Sequence, residues 1–144
     1  MQSGTQTPVP SRKVIWAGRI LSGLAILFLL VDAGFKLIKP LPEPAIKAFA
    51  QLGYSTSVAA GLGIVLLVCV AAYAIPRSAV LGAVLLTGYL GGAVASHLRV
   101  GDPWFSHILF PVYLGLFIWG GLFLRDEKVR ALLPLRKRRG AEAV

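Results

Sequence analysis

The stretch SAVLGAVLLTGYLGGAVASHL, residues 78–98, decides the fold class of this chain. It contains no Asp, Glu, Lys or Arg, and at about 1.5 Å of rise per helical residue it is long enough to cross the ~30 Å hydrocarbon core of a bilayer. Comparable apolar blocks surround it, and their predicted helical bounds are 14–38, 56–75 and 104–124. Together the four blocks predict an all-α protein, an integral membrane bundle of four helices.

The composition of the 144 residues agrees with this class. Hydrophobic residues make up 56% of the chain and charged residues only 15%, and the mean hydropathy is +0.74. A soluble domain typically carries about a quarter charged residues. The formal net charge of +9 does not indicate nucleic-acid binding, because the basic residues flank apolar blocks and are not interleaved with aromatic residues. A lipid bilayer with anionic head groups is the partner that this charge favours.

The segments between and around the blocks set the domain boundaries. Residues 1–13, rich in Ser, Thr, Gln and Pro, are predicted to form a flexible tail, residues 14–125 a single membrane domain, and residues 126–144 a basic C-terminal tail. We interpret the basic run at 136–139 as a lipid-attracting segment, with contact to a partner protein as the alternative. After a Pro-rich loop, residues 45–55 are predicted to form a short amphipathic segment at the membrane interface.

The distribution of Lys and Arg predicts the orientation of the bundle. With an even number of spans, both tails and the loop after the second helix share one side, and this side carries most of the basic residues. The positive-inside rule assigns that side to the cytoplasm, so both termini are expected there. Trp16, Trp104 and Trp119 lie near block ends, where aromatic residues anchor helices at the membrane interface.

Small residues in the third block predict how the helices pack. Gly88, Gly92 and Ser96 recur every four residues, a pattern that lets a neighbouring backbone approach closely. We interpret it as packing within one chain, with homodimerisation through the same face as the alternative. In the fourth block, Pro111 removes one helical hydrogen bond and predicts a kink.

Ionisable residues inside apolar helices are costly and mark ion-paired or functional positions. Asp32 and Lys36 are four residues apart, so they share one helix face and can pair. The up-and-down topology places them at the same membrane level as polar residues of the third and fourth blocks. The predicted cluster at the outer end of the bundle comprises Asp32, Lys36, Tyr89, His97, Arg99, Asp102, His107 and Tyr113.

Two interpretations of this outer polar cluster remain open. It is either a closed ion-pair network that locks the helices, or a pocket beneath the Pro-rich segment that holds the head group of a quinone or another small polar ligand. In the pocket, histidine can exchange protons, because its reference pKa is about 6.5. We predict no metal site, because His97 and His107 lack a close ligand spacing.

No signature of a soluble enzyme occurs in the sequence. It contains no Walker loop and no GxSxG, CxxC or HExxH motif. Catalytic residues are therefore unknown, and the sequence does not favour enzymatic activity for the isolated chain.

Several stretches resemble the DoxX-like membrane proteins. They are residues 73–83 (YAIPRSAVLGA), residues 88–99 (GYLGGAVASHLR), Asp32 with Lys36, and Gly101-Asp102-Pro103. The resemblance covers roughly residues 15–134, and it implies a four-helix fold in a bacterial inner membrane. It also implies a link to redox systems, because the family is named after a membrane subunit associated with thiosulfate:quinone oxidoreduction. Relatives often carry a glutamate in the second helix where this chain has Leu66, so this chain lacks any proton or substrate step that such a carboxylate serves, which disfavours a catalytic function.

Three functions are compatible with these patterns. The first is a small membrane subunit or ligand-binding partner of a redox system, with a redox partner protein and with quinone as the candidate cofactor. The second is a structural or assembly protein that has no chemistry of its own and contacts a partner or a second copy. The third, a proton-coupled transporter, is disfavoured because Asp32 lies near one end of its span, beside a lysine.

Overall fold

The computed structural model describes residues 11–132. In this part of the chain the α-helices are α1 Arg12–Leu37, α2 Glu43–Gln51, α3 Ala59–Ala74, α4 Ala79–Val100, α5 Phe110–Arg125 and α6 Glu127–Leu132. A 3-10 turn, Thr56–Val58, precedes α3, and a π-helical turn, Trp104–Ile108, precedes α5. No strand occurs between residues 11 and 132, so the all-α prediction is confirmed.

Segments long and apolar enough to cross a membrane are Arg12–Leu37, Thr56–Ala74, Ala79–Val100 and Trp104–Arg125. They coincide with the four predicted helices apart from small differences at the ends, and the first begins at Arg12 rather than at residue 14. The prediction of four membrane-spanning helices is confirmed. The predicted tail before residue 11 and the basic run at 136–139 lie outside the described residues.

The segment between α1 and α3 contains the predicted amphipathic helix, displaced toward the Pro-rich loop. Pro42 caps α2, and Pro44 lies in its first turn, where a missing N–H breaks no helical hydrogen bond. Phe49 is the buried residue of this helix. Gly53 then turns the chain with a φ of 71°, a conformation that favours glycine.

The fourth span is irregular just before Pro111. Residues 104–108 form the π-helical turn, the chain bends at Leu109, and α5 begins at Phe110. Pro111 therefore lies in the first turn of α5, where proline is well tolerated. The irregularity that Pro111 predicts in the fourth span therefore lies just before the proline, at the π-helical turn and the bend at Leu109.

The four long helices form a ring in which α1 contacts α3 and α5, and α4 contacts the same two helices. Tyr73 of α3 is fully buried in the centre of this ring. Its hydroxyl donates to the carbonyl oxygen of Ile118 at 2.8 Å and lies 2.9 Å from Oγ of Ser22. A buried hydroxyl without a partner is costly, so these contacts fix α1, α3 and α5 relative to one another.

Glycines mark a close helix contact, but not where the sequence predicts it. A Cβ at Gly82 of α4 would lie 2.2 Å from the backbone nitrogen of Tyr73. A Cβ at Gly88 or Gly92 would meet no heavy atom of residues 11–132 within 4 Å. The Ser96 hydroxyl donates within its own helix to the carbonyl of Gly92 at 2.8 Å. The interpretation of Gly88 and Gly92 as within-chain packing residues is therefore corrected, whereas their role in a homodimer stays a prediction.

We expect Gly82→Ala to destabilise the bundle by about 1–3 kcal/mol, because its methyl group would overlap the backbone of Tyr73. Gly91→Ala, on the same helix, is the matched control, since a Cβ there meets no heavy atom within 4 Å. The control should be neutral or stabilising, because alanine is favoured over glycine within helices. Thermal unfolding in mild detergent, followed by circular dichroism, measures both variants, and equal stabilities would contradict this account of the packing.

Candidate functional site

A cavity of about 660 Å³ lies within the helix ring, at the end that carries α2. Sites for small molecules typically enclose roughly 300–1,000 Å³. The apolar part of its wall includes Phe28, Leu29, Leu62, Leu90, Phe110 and Leu114. Phe49 and Leu52 line it from the side of α2 and the turn that follows. All four spanning helices and α2 thus line a largely apolar, partly open space.

Polar side chains from α1 and α4 interrupt this apolar wall. Asp32, Lys36, Tyr89 and His97 all line the cavity. Nζ of Lys36 lies 2.5 Å from Oδ1 of Asp32, as the i, i+4 spacing predicts. Within residues 11–132, the Tyr89 hydroxyl and Nε2 of His97 make no hydrogen bond, so both are available to a ligand.

Asp102 connects α2 to α4. Its Oδ2 lies 2.6 Å from Nδ1 of His97, and its Oδ1 accepts a hydrogen bond from Nε2 of Gln51 at 2.6 Å. The hydrogen bond with His97, helped by the one from Gln51, lowers the pKa of Asp102 and outweighs the opposing effect of desolvation. The carboxylate therefore stays ionised at neutral pH, orients the His97 ring and holds the C-terminal end of α2.

The end of α4 explains how Asp102 reaches His97. Gly101 adopts a φ of 74° and ends the helix. The Asp102 N–H then donates to the carbonyl of His97 at 3.1 Å, which is the pattern of a glycine-terminated helix. The left-handed glycine folds the chain back, so that the acidic side chain lies beside the histidine of the last turn.

Two further contacts hold the turn after α2 on α4. The Arg99 guanidinium donates to the carbonyl of Leu52 and lies 5.8 Å from the centre of the Tyr54 ring. The Tyr54 hydroxyl lies 2.8 Å from Oγ of Ser96. Arg99 and Ser96 thus brace the cover of the cavity.

The last two residues of the predicted cluster lie outside the cavity wall. His107 packs edge-on against His97, with ring centroids 5.6 Å apart, so it supports the ring that lines the cavity. Tyr113 is exposed on α5. Because Pro111 and Leu114 of α5 face the cavity, Tyr113 lies on another side of that helix, which corrects its predicted position.

A family model described as the DoxX-like family matches residues 20–121. This chain belongs to the DoxX-like family. The match extends from α1 to near the end of α5 and includes every polar residue of the cavity wall. No curated protein and no solved structure matches the chain significantly. Together with its four apolar helices, the family makes this a multi-pass membrane protein.

Residues of α2 and its turn were missed as site residues in this DoxX-like protein. Phe49 lies at helical spacing from Ile46 and Leu52, a pattern that indicates a buried face, and this signal could have placed it on the bundle. Gln51 and Tyr54 carry no comparable signal, because a polar residue in an interfacial helix is ordinarily solvated.

Among residues 11–132, no group of three or more His, Cys, Asp or Glu side chains is arranged to hold a metal ion.

Asp102→Asn is expected to loosen α2 of the DoxX-like protein, with faster amide hydrogen exchange in residues 43–51 and a lower unfolding temperature. Because folding lowers the pKa of Asp102 below its ordinary value of 3.8, the carboxylate stabilises the fold above that value. This contribution is lost as the pH falls through the lowered pKa. The difference between wild type and variant should therefore be largest near neutral pH and shrink in acid.

Glu43→Gln is the control for this experiment. Glu43 belongs to the same helix, but its pair with Lys47 is exposed and contributes little. Exchange rates in α2 that are the same for Asp102→Asn and wild type at neutral pH would show that Asp102 does not hold this helix.

Proposed function

We propose that this DoxX-like protein binds a small lipophilic molecule with an oxygen-bearing head group, of the quinone class, and serves as a membrane subunit of a redox system. The cavity of about 660 Å³ carries the proposal. A closed ion-pair network would fill the space between the helices, whereas here the Asp32–Lys36 pair forms only part of the wall of an open volume.

The polar part of the wall matches both forms of a quinone head group. Lys36 and the Tyr89 hydroxyl can donate hydrogen bonds to a carbonyl oxygen, as a quinone requires. Asp32 and a neutral His97 can accept from the hydroxyl of a quinol. Histidine changes its charge near neutral pH and can exchange the proton that accompanies such a redox change.

The apolar part of the wall suits the ring and tail of such a molecule. Phe28 and Phe110 pack edge to face, with centroids 5.0 Å apart, and both line the cavity with Leu62. A hydrophobic wall with few polar groups is typical of sites for small lipophilic ligands. A water-soluble polar substrate would leave most of this surface without a favourable contact.

We also infer that the cavity faces the periplasmic side of a bacterial inner membrane. The start of α1 and the end of α5 lie together at the opposite end of the bundle, where a Cβ at Gly18 would lie 3.0 Å from the backbone nitrogen of Arg125. That end is rich in Lys and Arg. The positive-inside rule places such an end in the cytoplasm.

A role in assembly is the second candidate. Gly91 of α4 is exposed and does not line the cavity, and a Cβ there would meet no heavy atom of residues 11–132 within 4 Å. Such a surface can admit the backbone of a partner helix or of a second copy. A stoichiometric complex in mild detergent that Gly91→Leu dissociates would support this role.

Protein in lipid nanodiscs is expected to bind a short-chain quinone, measured by isothermal titration. Asp32→Asn and His97→Ala should each weaken binding roughly twofold to tenfold, because a hydrogen bond contributes about 0.5–1.5 kcal/mol. Gly92→Leu should abolish binding, because the new side chain enters the open cavity that Gly92 lines.

Gly91→Leu is the matched control for this substitution, since the neighbouring residue does not line the cavity. It should bind the quinone like wild type. If Gly92→Leu and Asp32→Asn both keep the wild-type affinity, the cavity is not the binding site.

A further inference from the structure

A second, smaller cavity of about 230 Å³ lies between α1 and α2. It is lined from α1 by Asp32, Phe35 and Lys36 and from α2 by Ala45, Ala48 and Phe49. Helices α3, α4 and α5 contribute no residue to it. This crevice therefore lies beside the large cavity and follows the N-terminal half of α2.

The crevice and the large cavity share part of their walls. Asp32, Lys36, Ala48 and Phe49 line both spaces, so a layer of side chains separates them. Phe49 is 7% exposed and is the bulkiest side chain that α2 contributes to this layer. The Asp32–Lys36 pair forms the polar part of the same layer.

The attachment of α2 to the bundle is one-sided. Gln51 binds Asp102, the Leu52 carbonyl accepts from Arg99, and Tyr54 contacts Ser96, all at the C-terminal end of α2 or just after it. Residues 43–48 make no hydrogen bond or ion pair with α1 in the described part of the chain. The ion pair in this half of the helix joins Glu43 to Lys47 within α2 itself.

This asymmetry determines where α2 can separate from the bundle. Polar contacts fix its C-terminal end to α4, whereas its N-terminal half rests against α1 without them. A segment with few contacts opens at lower free energy than the surrounding helices. The opening that requires the least disruption is therefore on the α1 side, along the crevice.

We propose that the crevice between α1 and α2 is the aqueous entrance to the large cavity, and that the Phe49 side chain is the gate that closes it. Through this entrance water and protons reach the head group of the bound molecule, and Asp32, which lines both spaces, lies on this route. The part of this proposal that concerns the ligand rests on the proposed function. The entrance and the gate are inferred from the two cavities and the contacts of α2, whether or not a quinone binds.

A cysteine reporter measures access to the cavity directly. The chain contains one cysteine, Cys69, so Cys69→Ser gives a cysteine-free background. Ala93→Cys then places a thiol in the wall of the large cavity and away from the crevice. In nanodiscs, its rate of reaction with a charged, membrane-impermeant methanethiosulfonate reagent reports entrance from water.

Two matched pairs of substitutions in α2 test the route. Phe49→Ala should raise the reaction rate several-fold, whereas Ile46→Ala, which lines neither space, should leave it unchanged. Ala45→Trp should lower the rate several-fold by filling the crevice, and Ala50→Trp, which also lines neither space, should not. The tryptophan pair decides the question even if Phe49→Ala fails to fold.

A reaction rate that is unaffected by Ala45→Trp, or lowered equally by Ala50→Trp, would overturn the proposed entrance. The measurement uses no quinone, so it is independent of the binding experiment. If the substitutions change the reaction rates as expected but the protein binds no quinone, the proposed entrance stands and the proposed function is wrong. If the protein binds quinone but the substitutions leave the reaction rates unchanged, the proposed function stands and the proposed entrance is wrong.

Discussion

All four spanning helices meet at one buried tyrosine. The Tyr73 hydroxyl contacts α1 and α5, and its backbone lies so close to α4 that only glycine fits at position 82. The Arg125 guanidinium lies 5.2 Å from the centre of its ring, and a cation over an aromatic face is stabilising when it is shielded from water. A hydroxyl in apolar surroundings holds its partners firmly, because separation leaves each polar group unsatisfied. The arrangement of the helices depends on this contact.

The helices pack tightly in the half of the bundle that contains Tyr73, and they leave a cavity in the half that carries α2. The closest glycine contacts, at Gly18, Gly82 and Gly121, lie in the half of the bundle that contains Tyr73. Toward α2, the side chains of α4 and α5 face the cavity instead of one another. The short helix α2 compensates by covering this space with Phe49 and Leu52. The cavity is therefore a consequence of where the helices are fastened together.

The cover is attached to α4 by polar groups near the C-terminal end of that helix. Asp102 satisfies both Gln51 and His97, and Arg99 satisfies the carbonyl of Leu52. Each of these groups would need another partner if α2 moved away from α4. The same contacts that retain the cover orient the histidine of the cavity wall, so the shape of the site and its chemistry are coupled.

Sequence reasoning reaches the fold and part of the site. Apolar block length predicts the spans, because a bilayer demands helices of a certain length. The i, i+4 spacing predicts the Asp32–Lys36 pair, and the topology predicts that His97 and His107 meet. The direction of Tyr113 was not predictable, because it depends on where α5 begins after the break at Leu109.

The small residues show the same limit of sequence reasoning. Spacing identifies Gly88 and Gly92, but whether a small residue faces a helix or an empty space depends on how far apart the helices lie. The contacts of Gln51 and Tyr54 depend on how α2 returns to the bundle, which local sequence does not specify. The spacing of residues along the sequence therefore identifies small and polar positions, whereas the distances between helices in the folded chain determine what these positions contact.

The open space beside Gly88 and Gly92 has a consequence for evolution. Both residues line the cavity, and neither has a neighbour that a side chain would displace. Side chains of different size at these two positions would change the volume and shape of the site without disturbing the contacts around Tyr73. Cavity shape and fold stability are thus encoded by different residues of one helix, so substitutions at Gly88 and Gly92 can reshape the cavity in descendants of this protein while the backbone stays the same.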